Sequence, residues 1–151
     1  MEQKTQTIMK KLFFLLIITL IFSACEISPQ AINYGNEACE YCNMTIVDQQ
    51  YASQLVNKNG KAYNFDAIEC MIHYSEDIKE KEYQLYLIND FKNPGTLIDA
   101  KTAYYLISPE ISSPMGANLS GFASEEDAKK AESNYDGQLY NWANITKEIS
   151  K

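Results

Sequence analysis

Tyr51-Ala-Ser-Gln-Leu-Val56, Asn57-Lys-Asn-Gly60, Lys61-Ala-Tyr-Asn-Phe65 and Asp66-Ala-Ile-Glu-Cys-Met-Ile-His-Tyr-Ser75 follow one another without a break. The first run has strand composition. Asn59-Gly60 suits the positive φ of a tight hairpin turn. The third run returns as a second strand. Asp66 then stands where a helix N-cap is expected, with Glu69 in the capping-box position. Ile68, Met71 and Ile72 make an i, i+3, i+4 stripe, which predicts a helix over roughly 67–75 with one face in a core.

Further along, the plan recurs. Leu119-Ser-Gly-Phe122 reads as a short strand ending in Phe, and Ser124 as an N-cap. Glu125, Glu126 and Asp127 crowd the positive end of the helix that follows, which Ala128 and Ala131 support. Tyr83–Ile88 and Thr102–Ile107 read as strands by their β-branched and aromatic content. Asn93-Pro94-Gly95 reads as a turn, and Asp136-Gly137 turns the chain into Gln138–Trp142. The expected fold class is α+β, as two related antiparallel-sheet-plus-helix lobes, roughly 37–90 and 91–151.

Just before the first unit lies Cys39-Glu-Tyr-Cys42-Asn-Met44. Thiolate and thioether are soft donors and favour Cu(I) over harder ions. Zinc sites are built from thiolate, imidazole and carboxylate, and rarely recruit Met. Cys42 and Met44, two apart, can converge on one ion. Met44 has a packing alternative, since Met commonly fills cores, but it sits in a polar stretch. Cys39 completes a Cys-x-x-Cys, which alone is ambiguous between metal site, redox dithiol and disulfide. A catalytic dithiol would sit between a strand and a helix start, and neither is read around Cys39.

Three more residues compete for the ligand set. His73 is the sole histidine, and Cys70 lies three residues before it, so both share a helix face. Cys70 also reads as an ordinary buried thiol. Met115, in Ser113-Pro-Met115-Gly116, occupies a turn where packing gives a Met little reason to be.

Residues 1–24 read as a targeting segment. Lys4, Lys10 and Lys11 precede the apolar run Leu12–Phe22, which is short for a permanent span. Ser23-Ala24 before Cys25 is similar to a lipobox, so Cys25 is the expected acylation site and residues 25–36 the tether. The full chain carries 13 basic and 20 acidic residues, a net charge of −7, and every basic residue is Lys. Removing 1–24 takes three Lys and one Glu, which leaves 10 Lys, 19 acidic residues and −9. Such a surface lacks the basic footprint of a nucleic-acid binder. It should also stand off an anionic membrane rather than lie on it. There is no Gly-rich phosphate loop and no credible Ser/His/Asp set. With Cys25 acylated, Cys39, Cys42 and Cys70 cannot all pair within one chain, so a disulfide framework is a poor account.

The stretches Cys39–Asp48, Asn59–Asp66, Ser113–Gly116 and Gly121–Ala128 together resemble the NosL family of copper-binding lipoproteins. That resemblance implies a non-enzymatic metallochaperone for Cu(I) in the periplasm, serving nitrous oxide reductase in denitrification. It implies a membrane transporter and a periplasmic companion as partners, or another copper recipient. It implies two related α+β lobes, similar to a domain of organomercurial lyases. The family's Cys-Gly-Met motif falls on Cys42-Asn43-Met44, where Asn tolerates the left-handed backbone angles of Gly, and its Met-Gly turn on Met115-Gly116. Two other readings stand beside it: a periplasmic thiol oxidoreductase using Cys39 and Cys42, and an envelope scaffold without metal.

Overall fold

A computed structural model describes residues 26–78 and 82–151 of the chain. The targeting segment and Cys25 lie outside the described residues.

The first sheet is built from β1 (Ser53–Asn57), β2 (Ala62–Phe65), β3 (Tyr83–Asp90) and β4 (Asn93–Asp99), all antiparallel, in the order β2-β1-β3-β4. The second holds β5 (Tyr104–Ile107), β6 (Leu119–Phe122) and β7 (Gln138–Asn141), in the order β6-β5-β7. Helix α1 (Ile68–Asp77) follows β2, α2 (Glu125–Tyr135) follows β6, and α3 (Trp142–Ile149) closes the chain. The architecture is α+β, as expected, and the suspected repeat is visible in the topology. In each sheet a strand pairs with the next one, a helix follows, and a third strand returns to the first strand's other edge.

The β1–β2 turn forms where it was read. Asn57 Oδ1 accepts from the N–H groups of Asn59 and Lys61, both at 2.9 Å, and Gly60 takes φ 79°. Polar side chains on the buried strand β1 are answered one by one. Gln54 Nε2 donates to Asn64 Oδ1 at 2.7 Å and to the Gln30 carbonyl at 2.9 Å, while Gln54 Oε1 accepts the Gln30 N–H at 2.9 Å. Residues 30–36, read as part of a tether, are thus held against the sheet. Ile32 is buried and the Tyr34 hydroxyl meets Asn89 Nδ2 at 2.6 Å.

Three local expectations are corrected. Asn93-Pro94-Gly95 is not the turn but the start of β4. The chain reverses at Phe91-Lys92, where Asp90 accepts from the Lys92 N–H at 3.2 Å and from Asn93 Nδ2 at 2.6 Å. β4 is the edge strand, where the missing N–H of Pro94 costs no ladder bond. The first sheet therefore runs past residue 90 to Asp99. Asp66 is not the N-cap of α1, which is Ala67 with no side-chain cap bond. Finally, α3 was not expected. Asn141 caps it by accepting from the Asn144 N–H at 3.0 Å, and Ile145 is buried.

Both sheets feed one core. Ile46, Leu55, Phe65, Ile68, Met71, Ile72 and Ile88 from the first half join Tyr105, Leu119 and Ile145 from the second. The halves also meet through backbone, as the Phe91 N–H donates to the Gly121 carbonyl at 2.8 Å. Gly121 is needed for space: a Cβ there would stand 2.2 Å from Cδ1 of Ile88. A smaller core, with Tyr51, Leu106, Ile111 and Phe122, lies under Ala128 and Ala131 of α2.

Candidate metal centre

The segment before β1 folds back on itself and carries the motif. The Ile46 N–H donates to the Glu37 carbonyl at 2.9 Å, and the Cys39 N–H to the Met44 carbonyl at 2.7 Å. The Asn43 N–H returns to the Cys39 carbonyl at 3.0 Å, with Asn43 at φ 63°, the left-handed angle that Asn accepts. A bond from the Glu40 N–H to the Asn64 carbonyl, at 3.0 Å, ties the loop to β2. The loop is thereby fixed against the β2–α1 junction.

That junction supplies the rest of the site. The ligand atoms of Cys39, Cys42, Asp66 and Cys70 all lie within 4.8 Å of one another. Cys70 projects from the first turn of α1, and Asp66 precedes that helix. Cys39, Cys70 and Asp66 are 1%, 0% and 3% exposed, while Cys42 forms the half-buried rim. The Cys42 thiol donates to Asp66 Oδ1 at 3.4 Å. Asp66 Oδ2 is buried with no hydrogen-bond partner among the described residues. A buried carboxylate oxygen left unsatisfied is costly, and a cation would satisfy it. The donor set therefore fits a metal ion.

The thiols differ in acidity for physical reasons. A hydrogen bond from Cys70 holds Cys39 down at about 6, helped by N–H groups of Cys42, Asp66 and Tyr41. Cys70, which donates that bond and is buried, is pushed up. Burial pushes Cys42 up to about 11. Hence the sulfur most ready to be a thiolate is the most enclosed of the Cys-x-x-Cys pair. A thiol-disulfide enzyme needs the reverse, an accessible thiolate that can attack its substrate.

Of the residues singled out from sequence, the fold joins Cys39, Cys42 and Cys70, and it adds Asp66. His73 is not in that group; its ring stacks on Tyr41 of the motif loop at 5.6 Å. Met44 and Met115 lie at the surface, 47% and 41% exposed. The Met115 turn is pinned to α1 through Glu69. Ser113 Oγ donates to Glu69 Oε1 at 2.8 Å, and the Ala117 N–H reaches the same oxygen at 3.4 Å. Glu69, expected in a capping box, is thus the buried strut under that turn, and burial raises its pKa. Asp66 was missed as a donor because it was read as a cap. Its place is set by the extended backbone between β2 and α1, since α1 begins at Ile68 with Ala67 as its N-cap.

A small two-sheet α+β scaffold with a buried pocket of thiols and one carboxylate defines a class: a protein with a candidate centre for a soft or borderline metal ion. The chain belongs to the NosL family, whose sequence model matches residues 29–150. It is 27% identical over 132 residues to the copper-binding lipoprotein NosL of Stutzerimonas stutzeri, an alignment spanning 82% of this chain and 69% of that protein. Its fold matches the crystal structure of the copper chaperone NosL from Shewanella denitrificans with a TM-score of 0.68. That match has 22% identity and covers 78% of this chain and 95% of the other. No helix among the described residues is long and apolar enough to cross a membrane.

Proposed function

We propose that this chain is a Cu(I) carrier of the bacterial cell envelope, anchored by acylated Cys25 and facing the periplasm. Its cargo is one Cu(I) held by thiolates of the Cys39, Cys42 and Cys70 cluster, with Met44, Met115 and His73 as candidate donors around the rim. The observation that carries this reading is the convergence of three thiols on one buried point. Soft sulfur donors retain Cu(I) against harder ions. Exposed thioethers together with a half-buried thiol suit transfer, because each ligand can be replaced in turn without freeing the ion.

The recipient is a copper protein or its assembly machinery, and nitrous oxide reductase with its transporter and periplasmic companion is the candidate the family resemblance supplies. No turnover is assigned. Cu(I) titration of the reduced full-length protein against a competing chelator tests the reading. Cys42→Ser should abolish tight binding, and Met44→Leu should weaken it while leaving folding unchanged. Equal affinity in wild type and in the Cys42→Ser, Met44→Leu double variant would contradict it. The anchor is tested separately: Cys25→Ser should leave the protein unacylated and release it from the membrane fraction, whereas a variant that stays membrane-bound while unprocessed wild type is equally anchored would contradict the acylated anchor.

A further inference from the structure

We infer that the β1–β2 turn is the membrane-facing end of the molecule, with Lys58 and Lys61 against anionic phospholipid headgroups and the thiol cluster held at the far end of β2. This rests on the anchor at Cys25 proposed above, and says which way the anchored protein stands. The segment after Cys25 is not slack. Glu26, Ile27 and Ser28 line one groove with Lys58, Asn59 and Gly60 of the turn. Gln30 Nε2 donates to the Gly60 carbonyl at 2.5 Å, and the Gln54 side chain bonds both the N–H and the carbonyl of Gln30. One peptide unit, about 3.8 Å between Cα atoms, separates Glu26 from Cys25. An acyl chain on Cys25 therefore leaves the protein beside this turn.

From the turn, the segment runs along β2 to the site. Glu37 Oε2 accepts from Asn64 Nδ2 at 2.7 Å, and the Glu40 N–H donates to the Asn64 carbonyl at 3.0 Å. Asp66 of the cluster follows β2 directly. Extended chain rises about 3.3 Å per residue, which sets Asp66 about 20 Å from Gly60. The screening length at physiological salt is about 8 Å, so headgroup charge is screened out before it reaches the thiols. Charge favours this end for contact. Lys58 and Lys61 are exposed, and Lys58 meets Glu82 in a surface ion pair at 3.1 Å. With Glu26 beside them, these residues carry two charges of each sign. The −9 of the mature chain therefore lies on the remaining surface. An anionic bilayer repels that surface and leaves the turn as the end that can approach it. Exposed ion pairs are weak, so Lys58 exchanges Glu82 for a lipid phosphate at little cost.

Amide NMR tests this on the protein purified from membranes with its acyl chains. It is placed in nanodiscs of phosphatidylglycerol and phosphatidylcholine that carry a gadolinium-chelate headgroup lipid. The amides of Lys58, Asn59 and Gly60 should broaden several-fold more than those of Glu40 and Asn43. Lys58→Glu with Lys61→Glu should shrink that difference on phosphatidylglycerol discs and leave it unchanged on pure phosphatidylcholine discs. Equal broadening at both ends, or stronger broadening at Glu40 and Asn43, would overturn the orientation. A double variant indistinguishable from wild type on phosphatidylglycerol would overturn the headgroup contact. Mass spectrometry of the same samples separates this inference from the anchor it rests on. Acylated protein with uniform broadening sinks the inference and spares the anchor, whereas protein unacylated at Cys25 contradicts both.

Discussion

Cys70 shows how residue chemistry and placement divide. Its helical spacing allowed it to be either a ligand or a plain core thiol, and in the fold it is fully buried yet within reach of Cys39, Cys42 and Asp66. Cys70→Ser should therefore lower Cu(I) affinity in a chelator competition while the circular dichroism spectrum stays native; unchanged affinity would return Cys70 to a packing role. The acidities fix the pH dependence. Cys39 is held down at about 6 and Cys42 pushed up to about 11, with Cys70 also raised. Between those values Cys39 is already a thiolate, while Cys42 and Cys70 each carry a proton that the metal must displace. Apparent affinity should thus fall as pH falls, by about tenfold per pH unit for each displaced proton, and more steeply once Cys39 protonates. A pH-independent dissociation constant across that window would show that these thiols are not the ligands.

At the scale of elements, the strand-turn-strand-helix units were legible because their signals are local. Asn57 to Gly60 closes a turn by its own side-chain bonds, and Ser124 caps α2 by accepting from the Asp127 N–H at 3.2 Å. What was not legible depends on position in the sheet. Pro94 and Gly95 read as a turn, yet β4 lies at an edge where Pro is tolerated. Helix α3, Trp142–Ile149, is too short for its period to show without the core that buries Ile145. The Met115 turn is an element held from below. Ser113→Ala removes the bond to Glu69 and the acceptor that the Asn118 N–H uses at 2.9 Å. It should cost about 1–3 kcal/mol in urea unfolding; a cost near zero would mean the strut does not hold the turn.

Across the whole molecule, the two sheets behave as one body around a shared core rather than as two independent lobes. Ile145, from the last helix, packs in the same cluster as Phe65 and Ile68. Ile145→Ala should therefore cost about 2–5 kcal/mol and shift a single unfolding transition. Two transitions, with only one displaced, would show separable lobes. Gly121→Val tests the seam, where a Cβ would meet the Ile88 side chain at 2.2 Å; it should destabilise by about 1–3 kcal/mol, and a neutral result would mean the sheets part easily. This single body fixes the motif loop against the β2–α1 junction and so assembles the thiols from distant parts of the chain, which no reading of the Cys-x-x-Cys segment alone could supply. Copper X-ray absorption on the full-length protein loaded with one equivalent of Cu(I) tests that assembly most directly. The account predicts copper that stays Cu(I) in a shell of sulfur neighbours, with a contribution lost in Cys42→Ser. A shell of nitrogen and oxygen, or failure to retain one equivalent, would contradict it.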